Sequence, residues 1–302
     1  MGEVLSITDH RPWPLPAGNW SMTQRWNDLL FAHWPVPAAE LAYLLPAGLQ
    51  VDTFDGWAWV GVVPFWMDRV RLRGLPAIPG ASRFPELNLR TYVRSQSTRV
   101  PGVYFFSLDA ANPAAVAVAR ARFHLPYYWA RMSVEEKPDG LIHYTSRRLL
   151  SPSPVRFRAQ YRGLGRFAPG SVAVRSEKIS VFPGKSGPGG RNGTLPPNSG
   201  PIAPPGRTTL RSKPGSLEHF LTERYCLFTS QGRGWRRNSA REKLLVGNIH
   251  HTPWPLEEAE GEIEINELAA AQGIMLPDRP PVLHYSRELA VYLWNLEPVL
   301  AV

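Results

Sequence analysis

The helices this sequence can form are too few and too short to cover both faces of a sheet. Ala38–Leu45 follows Pro37 and stops before Pro46. Pro113–Phe123 is rich in alanine and carries proline in its first turn, where a missing N–H costs nothing. Ser216 reads as the N-cap of Leu217–Glu223, just after Pro214 and Gly215. Nearly everything else has the period of strands. Val51–Phe54 and Trp57–Val62 flank Asp55–Gly56, a hairpin-turn dipeptide. Leu87–Val93 and Val103–Leu108 are rich in strand-forming residues, and Asp139–Gly140 turns the chain into Leu141–Ser146. Val155, Phe157 and Ala159 alternate with Arg156, Arg158 and Gln160, and Leu283–Leu296 reads as a long final strand. With so little helix, the apolar strand faces must cover one another. The expected fold class is therefore mainly β (α+β), a large antiparallel sheet closed into a barrel or cone with a few short helices.

A 302-residue chain that is 43% hydrophobic can build a sizeable core. No internal repeat or clean linker divides it, so residues 1–302 are read as one domain. Residues 183–215 are the exception in composition, with 8 Pro and 8 Gly. Such a stretch buries too little apolar surface to offset the entropy of ordering it, and it is expected to be a flexible insert. It also holds five cations and no acid, more than half of the net charge of +9. The remaining excess is modest and scattered, which argues against a nucleic-acid partner. The single cysteine, Cys226, excludes an intrachain disulfide and a thiolate metal cluster. The longest apolar run, Ala58–Met67, is far short of the ~20 residues of a membrane span. With no secretory leader at the N-terminus, the expected setting is the cytoplasm, with no membrane partner.

Six blocks carry a resemblance to a known family, in the same order along the chain. They are Gln24–Val36 (QRWNDLLFAHWPV), Leu44–Phe65, Phe84–Val93 (FPELNLRTYV), Gly102–Asp109 (GVYFFSLD), Ser216–Phe228 and Ile249–Leu256 (IHHTPWPL). They are similar to the YqjF-like (DUF2071) family of uncharacterised proteins, which resembles the wider acetoacetate decarboxylase-like superfamily. The resemblance implies a cone-like antiparallel β-structure around a central cavity. In the decarboxylase a cavity lysine forms a Schiff base with a β-keto acid, next to a second lysine. The two lysine places follow an alanine-rich helix, and here they fall on Tyr127 and Tyr128. The chain has five lysines, Lys137, Lys178, Lys185, Lys213 and Lys243, none in an apolar run that would desolvate an amine. A lysine-dependent decarboxylase is therefore not expected.

Glu86, Asn88, Arg90 and Tyr92 alternate along one strand and share a face. A closed barrel turns one face inward, and an inward Glu86 and Arg90 would suit a carboxylate or carbonyl ligand. A solvated strand face is the alternative. Tyr127 and Tyr128 are adjacent and point to opposite faces, so at most one of them easily enters the cavity, as a hydrogen-bond donor or a packed aromatic. Glu86, Arg90 and Tyr127 are the expected catalytic set. His33, Asn88, Tyr92, Tyr128, Tyr225, His251 and Trp254 are the expected ligand-binding residues. Of His250 and His251 only one can face inward, and His33 could equally be a core histidine bonded to backbone. No HExxH or His-x-His spacing occurs, so neither a metal nor a cofactor is expected. Two functions fit. One is an enzyme of lyase or hydrolase type that acts on a small oxo or carboxy compound through acid–base and electrostatic groups. The other is a non-catalytic protein holding a small ligand in an aromatic cavity, for which the 11 tryptophans speak. Either form leaves room for a homo-oligomer.

Overall fold

Strand pairing closes on itself in a computed structural model that describes residues 2–78, 82–175, 208–231 and 243–299. The elements in chain order are α1 (Gly2–Leu5), β1 (Met22–Val36), α2 (Ala38–Ala42), β2 (Leu49–Val51), β3 (Ala58–Leu72), β4 (Phe84–Ser95) and β5 (Pro101–Ala110). Then come α3 (Pro113–Phe123), β6 (Tyr127–Glu136), β7 (Ile142–Arg148), β8 (Arg156–Phe167) and β9 (Ser171–Arg175). The chain ends with β10 (Thr208–Ser212), α4 (Leu217–Thr222), β11 (Cys226–Gln231), β12 (Lys243–His251), β13 (Glu257–Asn266) and β14 (Val282–Pro298). Twelve strands form one sheet, and β9 and β10 pair separately.

Two long strands allow this sheet to branch. Along β14, residues 284–285 pair with β13 and residues 291–298 pair with β12, while β1 occupies residues 282–293. Along β5, residues 103–104 pair with β11 and residues 108–110 with β6, while β4 runs antiparallel to the strand. The chain of pairings β14-β1-β3-β4-β5-β11-β12-β14 is thus a closed ring. A second ring runs β5-β6-β7-β8-β13-β14-β12-β11-β5. The expectation of an antiparallel sheet holds except at β5, whose contacts with β6 and β11 are parallel.

Strand β4 separates two apolar clusters. Leu87 and Leu89 belong to one, with Val60 and Val62 of β3 and Tyr144, Phe157 and Tyr161 of β7 and β8. The other holds Leu29, Phe31, Val63, Phe65, Tyr92, Leu221 and Trp254. Both faces of β4 are consequently buried, unlike a half-wet strand. Burial of this kind takes Glu86, Asn88 and Arg90 out of bulk water, so they need partners from the protein, an internal water or a ligand.

Local signals are met in part. Ser216 does cap α4, its side chain accepting from His219 N–H at 3.2 Å. Helix α3 has the expected limits, with Asn112 accepting from Ala114 and Ala115 N–H. Helix α2 stops at Ala42, short of Leu45. Asp55 and Gly56 both take positive φ, as a two-residue turn requires, but only Phe54 and Trp57 pair across it. The preceding strand, β2, pairs with β4 instead of β3. Most of the expected insert, 183–207, lies outside the described residues. Its C-terminal end is corrected by β10, which pairs with β9.

Candidate functional site

The register places Phe65, Val63 and Gly61 of β3 opposite Glu86, Asn88 and Arg90. On β1, His33 lies opposite Gly61, so His33, Gly61 and Arg90 form one row on one face. A Cβ at Gly61 would sit 2.8 Å from His33 Nε2 and 3.4 Å from Arg90 Cγ. Glycine is what lets the imidazole and the arginine stem close over the strand between them. Asn88 and Tyr92 flank Arg90 on the same face.

At one end of this face, Glu86 meets Tyr127. The Tyr127 hydroxyl donates to Glu86 Oε2 at 2.7 Å; the Glu86 carboxyl is buried and Tyr127 is half-buried. Burial pushes the Glu86 carboxyl up to about 8, opposed by the Tyr127 bond and helped by the charge of Asp109. Burial and the adjacent carboxyl likewise hold the Tyr127 phenol well above its usual range. Register explains the meeting, because Tyr127 pairs with Leu108, which pairs with Asn88. Tyr128 pairs with Asp109 and lies on the opposite face, where the Arg148 guanidinium stacks 3.5 Å from its ring centre. Of the two adjacent tyrosines, Tyr127 joins Glu86 and Tyr128 does not.

At the other end, Tyr92 organises a knot of polar groups. Its hydroxyl donates to the Leu221 carbonyl at 2.7 Å. That carbonyl lies in the last turn of α4, where helix carbonyls lack internal partners. Having given its one proton, the hydroxyl accepts from Arg90 (Nη2, 3.2 Å) and from His33 Nε2 at 2.7 Å. The His33 proton is therefore on Nε2 and Nδ1 carries a lone pair. Burial, then the charges of Arg90 and His284, keep this imidazole neutral by lowering its pKa well below the usual value. Nδ1 of His33, Nε of Arg90, Oδ1 of Asn88 and Oγ of Ser286 are buried with no hydrogen-bond partner among the described residues.

The expected inward Glu86–Arg90 pair does not form among the described residues. Arg90 instead leans toward Tyr92, its guanidinium 5.3 Å from the Phe31 ring centre. Aromatic rings pack in a run beyond Arg90 and His33. Phe31 stacks on His33 and meets Trp254 edge-on at 4.9 Å, and Trp254 lies 5.3 Å from the His251 ring. His251 in turn stacks on Tyr225 at 4.7 Å, and Tyr225 donates a short hydrogen bond to Glu223. His250 and His251 point apart, as adjacent strand residues must, yet both are buried. The N-terminal segment supplies the cover, with His250 bonding to the Val4 carbonyl and lying 3.2 Å from an Arg11 nitrogen.

Sequence reasoning missed Phe31, Gly61, His284 and Leu221. Phe31 and His33 alternate within one block, a signal that was available. His284 was hidden inside a strand read only for its length. It lies opposite Phe31, with Nε2 3.7 Å from Glu218. No group of three or more His, Cys, Asp or Glu among the described residues could hold a metal.

The profile of the DUF2071 family, described as an uncharacterised conserved protein, matches residues 23–179 and 199–290. The uncharacterised protein YqjF of Bacillus subtilis is 40% identical over 93% of this chain and 94% of its own length. Among solved structures, acetoacetate decarboxylase from Legionella pneumophila superposes with a TM-score of 0.57 at 10% identity, covering 97% of this chain and 95% of that one. The enduracididine biosynthesis enzyme MppR, complexed with pyruvate, gives 0.53 at 10% identity over 93% of this chain and 91% of that one. The fold is thus acetoacetate decarboxylase-like, and the chain belongs to the DUF2071 family.

Proposed function

We propose that this protein is an enzyme acting on a small oxo or carboxy compound, with Glu86 as proton donor and without Schiff-base chemistry. The Glu86–Tyr127 contact carries the reading. A carboxyl with a pKa of about 8 is protonated at neutral pH, as a general acid must be. Tyr127 fixes one carboxyl oxygen, and the proton is left for a carbonyl oxygen of the substrate. The Asn88 amide, next along the same face, would donate to the developing charge in a dry setting, where such dipoles count for most. Lysine offers little support for the alternative chemistry. Lys137 pairs with Glu135, and Lys213 and Lys243 are exposed. Lys178 and Lys185 lie outside the described residues.

The test is a turnover screen of β-keto acids, longer oxo acids, lactones and hydroxy acids with wild type and Glu86→Gln. The expected result is turnover that falls above pH 8 in wild type and by about 100-fold or more in the variant. Equal turnover by both proteins would remove Glu86 from the mechanism. The aromatic run from Phe31 to Tyr225 favours a second reading, a non-catalytic binder of an aromatic or apolar ligand. Native mass spectrometry of fresh protein separates the two. An unchanged small molecule that co-purifies, with no turnover of any screened compound, would support the binder.

A further inference from the structure

Among the described residues three arginines are buried, Arg90, Arg148 and Arg224, with exposures of 7%, 5% and 8%. Arg148 donates to Asp109 at 2.7 and 3.1 Å. Arg224 donates to Asp52 at 2.7 Å. Arg90 has only neutral acceptors among the described residues, the Tyr92 hydroxyl and the Leu221 carbonyl. A guanidinium does not lose its proton, and leaving one buried without a counter-charge is strongly unfavourable. Its Nε still lacks an acceptor. Glu86, the acid on the same strand face, is four residues away, about 13 Å along the backbone at the usual rise. It turns to Tyr127 instead.

We infer that this interior binds a small acid whose anionic group sits on Arg90, remote from the carbonyl that meets Glu86. The anion supplies the missing counter-charge and accepts from Nε. A β-keto acid cannot fill both places, because one carbon separates its carboxylate from its carbonyl. A longer oxo acid can. The lone pair on His33 Nδ1 and the free Asn88 Oδ1 would accept from a hydroxyl carried along the chain between them. The Glu86 end of this inference rests on the reading given under Proposed function, whereas the Arg90 end does not.

Calorimetric titration of the full chain with acetoacetate, 5-oxohexanoate, 7-oxooctanoate and neutral 2-octanone tests the inference. Wild type is expected to bind 7-oxooctanoate about tenfold or more tighter than acetoacetate or 2-octanone. Arg90→Met should lose at least that factor for the long acid and leave 2-octanone unchanged. Should Arg90→Met fail to fold, Arg90→Gln serves, and the chain-length series on wild type stands by itself. Glu86→Gln alters the group that meets the carbonyl and is expected to narrow the chain-length preference, while the dependence of acid binding on Arg90 persists. Equal affinity for all chain lengths would overturn the inference, as would equal affinity with and without Arg90. Arg90-dependent binding with no turnover of any acid would leave the inference standing and defeat the catalytic reading. Turnover lost in Glu86→Gln with binding indifferent to Arg90 would do the reverse.

Discussion

The two faces of β4 treat buried charge in opposite ways. On the Leu87–Leu89 face, Asp109 lies opposite Leu87 and meets Arg148, and the pair is sealed under Tyr128. On the Glu86–Tyr92 face, a protonatable acid and a permanent cation lie on the same strand and do not meet. The first arrangement pairs its two charges within the protein, with only Asp109 Oδ2 left without a hydrogen-bond partner among the described residues. The second leaves a guanidinium N–H, an imidazole lone pair and an amide oxygen unanswered. A fold can tolerate such costs where a ligand offsets them, so the unmatched face is where function should be sought.

Breaking the matched pair should have the largest effect. Arg148→Met strands Asp109 in the interior, and a loss of about 3–5 kcal/mol in denaturant unfolding is expected. Arg90→Met removes an uncompensated cation, so its stability without ligand should lie within about 1 kcal/mol of wild type or above it. The contrast is the test. Equal losses for both variants would mean that Arg90 is as well satisfied as Arg148, and the two faces would no longer differ.

Next comes the row that joins the strands of the unmatched face. Gly61→Ala drives a methyl into His33 Nε2, the atom that donates to Tyr92. A cost of about 1–3 kcal/mol is expected from overpacking, read as a lower unfolding midpoint. His33→Ala in the Gly61→Ala background should recover part of it, since the clashing ring is gone. A cost that persists undiminished in the double variant would place the strain elsewhere.

How much of this was legible in the sequence follows from what local patterns encode. The period of two told that Glu86, Asn88, Arg90 and Tyr92 share a face, and that Tyr127 and Tyr128 do not. It carries no information on which strand lies alongside. The departure of β2 to β4, and the parallel contacts of β5, therefore escaped it. Ion pairs escaped for the same reason. Arg224 meets Asp52 and Arg148 meets Asp109 only because the rings close. The N-terminal cover over His250 was likewise invisible, since a polar and proline-rich start gives no sign of docking. The Glu86–Tyr127 contact was half legible. Both residues were singled out, but their meeting depends on the parallel β5–β6 register.

The unmatched face also predicts a distinctive pH dependence. A carboxyl held at about 8 in the fold, against a usual value of 4.5, binds more protons folded than unfolded between those limits. It stabilises below pH 4.5, and that contribution is lost as pH rises through 8, at up to about 1.4 kcal/mol per pH unit. His10, His250 and His251, lowered to about 4 mainly by burial, act in the opposite sense. Their neutral forms stabilise the fold above pH 6.5, and that stability is lost as pH falls through 6.5 toward 4. Unfolding free energies measured from pH 4 to 9 in wild type and Glu86→Gln isolate the carboxyl, because the histidines cancel in the difference. Parallel curves would show that Glu86 titrates normally in the fold.

The smallest expected effect is also the most specific. Tyr127→Phe deletes one hydroxyl and nothing else, and a single buried hydrogen bond contributes about 1 kcal/mol. The Tyr127 bond pulls the Glu86 carboxyl down against the pull of burial. Its loss should therefore move the Glu86 titration upward, beyond about 8, while the fold stays intact. The pH at which the Glu86 contribution disappears would then rise in Tyr127→Phe, and the histidine-governed acid limb would stay where it was. A downward move would mean that the phenol serves the protonated acid as an acceptor. Tyr127 would then be a competitor for the Glu86 proton, and a substrate carbonyl would have to displace it.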